Sequence, residues 1–388
     1  MASYPRTRRR ANGEGSLYRV ASGRWRGAVT FTDAAGRTQR RTVSAATQAE
    51  ARRRLAVLRA DTDRGLAPAA TTTLGDYLAG WLVRERQRIR PATWRSREYL
   101  VRRYWLPPLG RIPLAKLAPA DVERVTGALV TGGLSPNTAA HARVALRRAL
   151  GDAQRDGLVA RNVAALARPP RVPSRDLRAG RDYLEPADLR RLLDATADHP
   201  LGPLVALAAT TGLRQGELLG LAWEDVDTAA GTLRVRRALA RSWDGWALAE
   251  PKTPRSRRTI HLPARALDAL SRQREAQEAA HATAGTAWQD RDGLAFTDAV
   301  GRPLRGYNVT RVFHELLTAA GLPSVPFHAL RHSAATALLA AGVPLRVVAD
   351  QLGHSTIAIT ADTYAGVVPE LRREAAEAMD RALGGGAE

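Results

Sequence analysis

Hydrophobic and polar positions divide the chain into stretches of different period. Over residues 12–66 the runs LYRV, RWRGAVTFTD and RTQRRTVS are short and rich in β-branched and aromatic residues, with turn chemistry in SGR and DAAGR between them. They predict three strands. TQAEARRRLAVLRADTDRG then shows helical spacing, with Thr47 as N-cap and Gly65 as stop. A three-stranded sheet packed by one helix is expected. Residues 67–73 (APAATTT) read as a flexible joint.

From 74 to 167 the period is helical throughout, in LGDYLAGWLVRERQ, TWRSREYLVRRYWLPPLG, APADVERVTGALVTGG and SPNTAAHARVALRRALGDAQRDGL. Pro119-Ala120-Asp121 and Ser135-Pro136 are helix starts, and Gly132-Gly133 is a stop. A compact helical bundle follows, with Trp94, Tyr99 and Trp105 expected in its core. Residues 168–183 (RPPRVPSRDLRAGRDY) are Pro- and Arg-rich without period and predict a linker. Another compact domain opens near Leu184, where EPADLRRLLDAT starts a helix with Pro186 in its first turn. In it, LGPLVALAATTGLRQGELLGLAWEDVD predicts two buried helices around a tight Thr-Gly turn. TLRVRRALA, WALAE and RTIHLP predict strands, with Asp225 and Asp227 in a turn before the first. FHALRHSAATALLAAG and VPLRVVADQLGH predict helices, and the tail PELRREAAEAMDRAL is amphipathic. The expected chain is multidomain and mainly α with small β elements, closing on a mixed α/β domain over 184–388.

Charge adds a polarity to this layout. The 388 residues carry a net +21, distributed as +10 over residues 1–66, +12 over 67–180 and −1 over 181–388. A basic front half of this kind points to a polyanion, and double-stranded DNA is the leading partner; a solvated basic face is the bland reading. Candidate phosphate contacts are Arg19, Arg24, Arg26 and Arg40 on or beside the predicted strands, Arg84, Arg95 and Arg97 on the bundle, and Arg171 and Arg175 in the linker. There is no cysteine, which excludes disulfides, thiol catalysis and cysteine-ligated zinc modules. No apolar run reaches about 18 residues, and MASYPRTRRR lacks the apolar core of a secretory signal. A cytoplasmic, nucleoid-associated bacterial protein with no membrane partner is the expectation.

Candidate chemistry gathers in the last domain. Arg214 follows Gly212 at the mouth of a predicted helix. Lys252 lies in the turn after WALAE and is one of only two lysines among 59 cationic residues. An ammonium can give up its proton where a guanidinium cannot, so Lys252 is a candidate general acid. His328 and Arg331, three apart, share one helix face, and His332 lies about 100° further round. His354 follows Gly353, and Tyr364 comes ten residues later. Taken singly each has an ordinary structural reading: a capping ion pair, a turn lysine, a core tyrosine. As a set, Arg214, Lys252, His328, Arg331, His354 and Tyr364 hold two guanidiniums, an amine, two imidazoles and a phenol, with no carboxylate pair for a divalent ion. Such an inventory fits attack of a tyrosine hydroxyl on a phosphodiester amid fixed positive charge, without metal or cofactor.

TGLRQGELLGL, PKTPRSRRTIHLP, HALRHS, LGH and DTYAG, taken together, resemble the tyrosine recombinase family, specifically the phage-type integrases. The resemblance runs through residues 184–370. It implies that Tyr364 forms a 3′-phosphotyrosine link, that Arg214 and Arg331 hold the non-bridging oxygens, that Lys252 protonates the leaving 5′ oxygen, and that His328 and His354 assist proton transfer and bind the phosphate. It further implies an arm-type DNA-binding module at 1–66, a core-binding domain at 74–167, and a homotetramer acting on two attachment sites, with an excision factor or host DNA-bending protein as further partners. A resolvase or type IB topoisomerase-like enzyme shares this chemistry, and a DNA-binding regulator with an idle site is the non-enzymatic alternative.

Overall fold

A computed structural model of the chain describes residues 16–32, 38–63, 72–170, 183–250, 257–353, 377, 379 and 380. The fold divides into two compact units, Met1–Ser174 and Arg175–Glu388.

In the first unit, β1 (Ser16–Arg19), β2 (Trp25–Thr32) and β3 (Thr38–Ala45) form an antiparallel meander in that order, and α1 (Gln48–Asp63) packs on it. Thr47 caps α1 by accepting the Glu50 N–H at 3.3 Å. Leu55 of α1 lies against Gly27 and Val43, so the Gly27/Val29/Val43 face of the sheet is the covered one. The register pairs Tyr18 with Arg26 and Thr30 with Arg40, which puts Arg26 and Arg40 on the opposite, exposed face. The three strands and helix expected from the pattern are thus present.

The rest of this unit is helical: α2 (Leu74–Arg86), α3 (Pro91–Leu100), a π turn (Val101–Trp105), α4 (Leu106–Leu109), α5 (Pro119–Thr131), α6 (Pro136–Arg155) and α7 (Val163–Leu166). Capping chemistry fixes the starts. Thr73 and Asp76 form a reciprocal capping box at α2, and Ser135 accepts the Thr138 N–H at α6. The core is built on Leu74, Leu78, Trp81, Trp105, Leu109, Leu146 and Leu150. Its buried indole N–H groups are satisfied: Trp81 donates to Asp152 at 2.7 Å and Trp105 to the Ala142 carbonyl at 2.8 Å. Trp94 is half-buried and donates to the Leu82 carbonyl. Tyr99 corrects the expected core, because it is 57% exposed. The inward positions here are Val101, Trp105 and Leu109, and a residue two before Val101 falls about 200° round the helix. Tyr99 instead meets Tyr104 edge-on at 5.8 Å.

The second unit is centred on α9 (Gly202–Thr211), a helix apolar on all sides and buried along almost its whole length. Around it pack α8 (Pro186–Ala195), α11 (Ala264–Ala284) and α13 (Ala329–Ala340). The short α10 (Gln215–Leu219) follows α9 across Gly212. The small strands are β4 (Val226–Asp227), β5 (Thr232–Val235), β6 (Ala238–Ser242), β7 (Gly245–Ala249) and β8 (Arg258–His261). α12 (Gly306–Ala319) and α14 (Leu345–Leu352) complete the unit.

One expected strand is two. TLRVRRALA breaks at Arg236-Arg237, so that β5 joins β4 and β8 while β6 pairs with β7. The cause is electrostatic. Asp225 is 3% exposed and draws Arg236 (3.1 Å) and Arg237 (3.3 Å) toward itself. β6 then crosses over α10, where a Cβ on Gly220 would lie 2.7 Å from the Leu239 nitrogen.

Candidate active site

The turn between α9 and α10 positions the first candidate residue. Gly212 adopts φ +66°, a left-handed C-cap that an L side chain disfavours. Arg214 becomes the N-cap residue of α10. Its backbone N–H donates to Glu217 Oε2 at 3.1 Å, its Nη1 to Glu217 Oε1 at 2.8 Å, and its Nη2 to the Gly353 carbonyl at 3.4 Å. Next to it Gln215 donates to the Gly306 carbonyl and Thr310 hydroxyl, fixing α10 against α12.

Arg331 reaches the same place from α13. It is 2% exposed, with Nη1 donating to the Gly212 carbonyl at 2.8 Å and Nη2 to the Leu352 carbonyl at 2.7 Å. A third guanidinium joins them from the first residue of β8. Arg258 donates from Nε to the Gln351 carbonyl at 2.6 Å and from Nη2 to Glu217 Oε2 at 2.9 Å. Three consecutive carbonyls at the C-terminal end of α14, those of Gln351, Leu352 and Gly353, thus each accept from a different arginine. Those carbonyls lack intrahelical partners and carry the negative end of the helix dipole, so three cations are favourable there. Gly353, left-handed at φ +68°, ends the helix immediately before His354.

Glu217 is the negative centre of the cluster, 5% exposed and bridging Arg214 and Arg258. Burial alone would raise its pKa, but the hydrogen bond and charge of Arg258, with the backbone N–H and charge of Arg214, hold it below the ordinary carboxylate value. His328 shifts in the same direction, which for an imidazole favours the neutral form. Desolvation first, then the charges of His332, Arg331 and Arg214, push its pKa down to about 4, with Glu217 opposing. Part of the residue faces solvent, which screens those charges. The imidazole is therefore neutral at pH 7 and able to accept a proton. His332 is half-buried and packs edge-on against His328, ring centroids 5.1 Å apart.

The fold brings Arg214, Arg331 and His328 together. Lys252, His354 and Tyr364 lie outside the described residues, as do Arg171 and Arg175. On the first unit, Arg19 donates to the Gly23 carbonyl and Arg24 to the Ser44 hydroxyl. Arg84 lies over the Tyr77 ring at 5.8 Å, Arg95 is half-buried, and Arg97 pairs with the buried Glu85.

Residues 182–370 match the phage integrase family, and residues 73–129 match the phage integrase N-terminal SAM-like domain. A tyrosine recombinase XerC-like protein of Caldanaerobacter subterraneus subsp. tengcongensis is 30% identical over 79% of this chain and 83% of its own length. The chain belongs to the phage integrase family of tyrosine recombinases. It is accordingly an enzyme of site-specific recombination. An integrase of Streptomyces ambofaciens is also 30% identical, over 96% of this chain and 97% of that protein. Among solved structures, the Tn1549 transposon integrase in complex with a circular intermediate DNA aligns with a TM-score of 0.66 at 23% identity, over 78% of this chain and 99% of that one. A lambda integrase tetramer bound to a Holliday junction aligns with a TM-score of 0.58 at 18% identity, over 92% and 96%. At these identities the two structures show a shared fold.

Arg258 is the member of the cluster that the recombinase's sequence does not single out. It is one arginine in the run RSRR, and its charge marks nothing. The usable signal is parity: Arg258 shares a strand face with Ile260, which is 1% exposed, so a charged residue there points inward and needs a partner.

Proposed function

We propose that this recombinase cuts double-stranded DNA through Tyr364. The phenolic oxygen attacks the scissile phosphorus, the P–O5′ bond breaks, and a 3′-phosphotyrosine forms as the 5′ oxygen leaves. Lys252 supplies the leaving oxygen's proton. His328, neutral at pH 7, takes the tyrosine's proton, with His354 assisting. Arg214 and Arg331 hold the non-bridging oxygens as charge develops. The covalent link conserves the energy of the phosphodiester, so a 5′ hydroxyl from another strand rejoins it by the reverse step without ATP. The observation that supports this reading most is the meeting of Arg214 and Arg331, distant in sequence, at the end of α14 beside a neutral His328. The segment carrying His354 and Tyr364 leaves from that point.

The wider reading is integration or excision of a mobile element. Residues 1–66 serve as an arm-type module, 74–167 as the core-binding domain, 168–183 as linker and 184–388 as the catalytic domain. The basic front half supports DNA as the partner, and Arg26 and Arg40 on the open sheet face are suited to a groove. The active assembly is a homotetramer on two attachment sites, in the nucleoid, with an excision factor or DNA-bending protein setting direction. Incubation with a nicked attachment-site duplex tests the chemistry. Wild type should trap a covalent protein–DNA adduct, and Tyr364→Phe should bind the duplex without forming one. An adduct that persists in Tyr364→Phe would place the nucleophile elsewhere.

A further inference from the structure

The buried salt bridge between Arg258 and Glu217 has no place in the chemistry above, yet it reaches both Arg214 on α10 and the end of α14. Arg258 opens β8, the strand that follows the segment containing Lys252. Its side chain is 7% exposed and makes two kinds of bond with one planar fork. Toward α10 it donates to both Glu217 oxygens, at 2.9 and 3.4 Å. Toward α14 it donates to the Gln351 carbonyl. Glu217 in turn holds both the backbone N–H and the guanidinium of Arg214. One side chain therefore ties together the segments that carry Lys252, Arg214 and His354.

We propose that Arg258 is a positioning residue for strand cleavage, acting through Glu217 on Arg214 and through the Gln351 carbonyl on the end of α14. This rests on the tyrosine-attack reading given above. The physical case is one of competition. Glu217 bonded only to Arg214 would carry a full buried negative charge against one partly exposed cation and would compete with a DNA phosphate for it. With Arg258 sharing the carboxylate, Glu217 orients Arg214 while part of the Arg214 side chain, 39% exposed, stays open to solvent. A lysine cannot replace this function. A single ammonium lacks the fork that reaches two carboxylate oxygens and a carbonyl at once.

The test is single-turnover cleavage of a nicked duplex at saturating full-length protein, alongside the Kd for the same DNA. Arg258→Lys keeps the buried charge and should keep the fold by circular dichroism. Its cleavage rate should fall roughly 10- to 100-fold while Kd changes by less than about 3-fold. Glu217→Gln should fall similarly. The double variant should be no slower than the slower single one, because both substitutions break one chain of contacts. If Arg258→Lys does not fold, Glu217→Asp, which shortens the carboxylate and keeps the charge pair, carries the same expectation. A cleavage rate within about 3-fold of wild type, a loss confined to Kd, or additive effects in the double variant would each overturn the proposal. Absence of adduct from the wild-type protein would instead count against the tyrosine-attack reading itself.

Discussion

Replacing Gly212 with alanine perturbs the site at the position where its backbone is tightest. Two costs follow from the geometry. The residue holds φ +66°, and a Cβ in the left-handed region costs about 1–2 kcal/mol. The added methyl would lie 2.5 Å from Leu352 Cδ2, so the buried Leu352 side chain, or α14 with it, must shift, an overpacking cost of about 1–3 kcal/mol. The sum, about 2–5 kcal/mol, is a large part of the roughly 5–15 kcal/mol that stabilises a typical domain. In a unit of this size each kcal/mol lowers Tm by roughly 2–4 °C, so the expected drop is roughly 4–20 °C by calorimetry. Movement of α14 away from Gly212 separates the two carbonyls, of Gly212 and Leu352, that hold Arg331. Adduct formation at a temperature where the variant is folded should therefore fall by about 100-fold. Gly212→Asn separates the two costs, because asparagine tolerates the left-handed region and retains the clash. Leu352→Ala in the Gly212→Ala background should recover about 1–3 kcal/mol relative to additivity. An unchanged Tm for Gly212→Ala, or strict additivity with Leu352→Ala, would refute the reasoning.

The depressed pKa of His328 predicts both a pH profile and a stability trend. Because its folded value lies below the ordinary 6.5, the unfolded chain binds the proton more readily; stability should fall as pH drops from 6.5 toward about 4, and the cleavage rate should fall only in the lowest part of that range, where the folded imidazole takes up its proton. His328→Gln should flatten the pH–rate profile over that window, and a profile unchanged by that substitution would remove His328 as the base. In the first unit, Arg97→Ala leaves the carboxylate of Glu85, a residue 1% exposed, without its salt-bridge partner and should cost roughly 3 kcal/mol. Adding Glu85→Gln to Arg97→Ala should recover most of that loss in thermal unfolding; if it does not, Arg97 stabilises by packing alone.

Local patterns made most of the fold legible, because most elements here are decided locally. The capping residues Thr47 and Ser135 begin their helices as their chemistry requires, and the all-apolar α9 is buried on every side. The strand misreading is a place where a distant partner decides, and the Tyr99 one a matter of helical phase. Nothing within TLRVRRALA says that it will break; Asp225, buried and upstream, turns the two arginines and splits the strand. Tyr99 looks like a core aromatic until the inward line of Val101, Trp105 and Leu109 fixes the phase of its helix.

The same distinction runs through the site. Chemical type alone marks Arg214, His328 and Arg331 as candidates, since guanidiniums and imidazoles at those spacings have few other uses together. Type alone does not say what each guanidinium does. Its chemistry suits Arg331 to a phosphate, and in the fold two of its N–H groups are also given to the Gly212 and Leu352 carbonyls. Arg214 keeps an open side chain because Glu217, shared with Arg258, holds it by one edge. The three arginines, similar as letters, are thus graded by burial from Arg331 through Arg258 to Arg214. That gradient follows from the end of α14, whose last carbonyls attract positive charge and whose position sets how deep each cation must reach. Any motion of α14 on DNA would consequently be transmitted to all three arginines, and to the start of the segment that carries Tyr364, the proposed nucleophile.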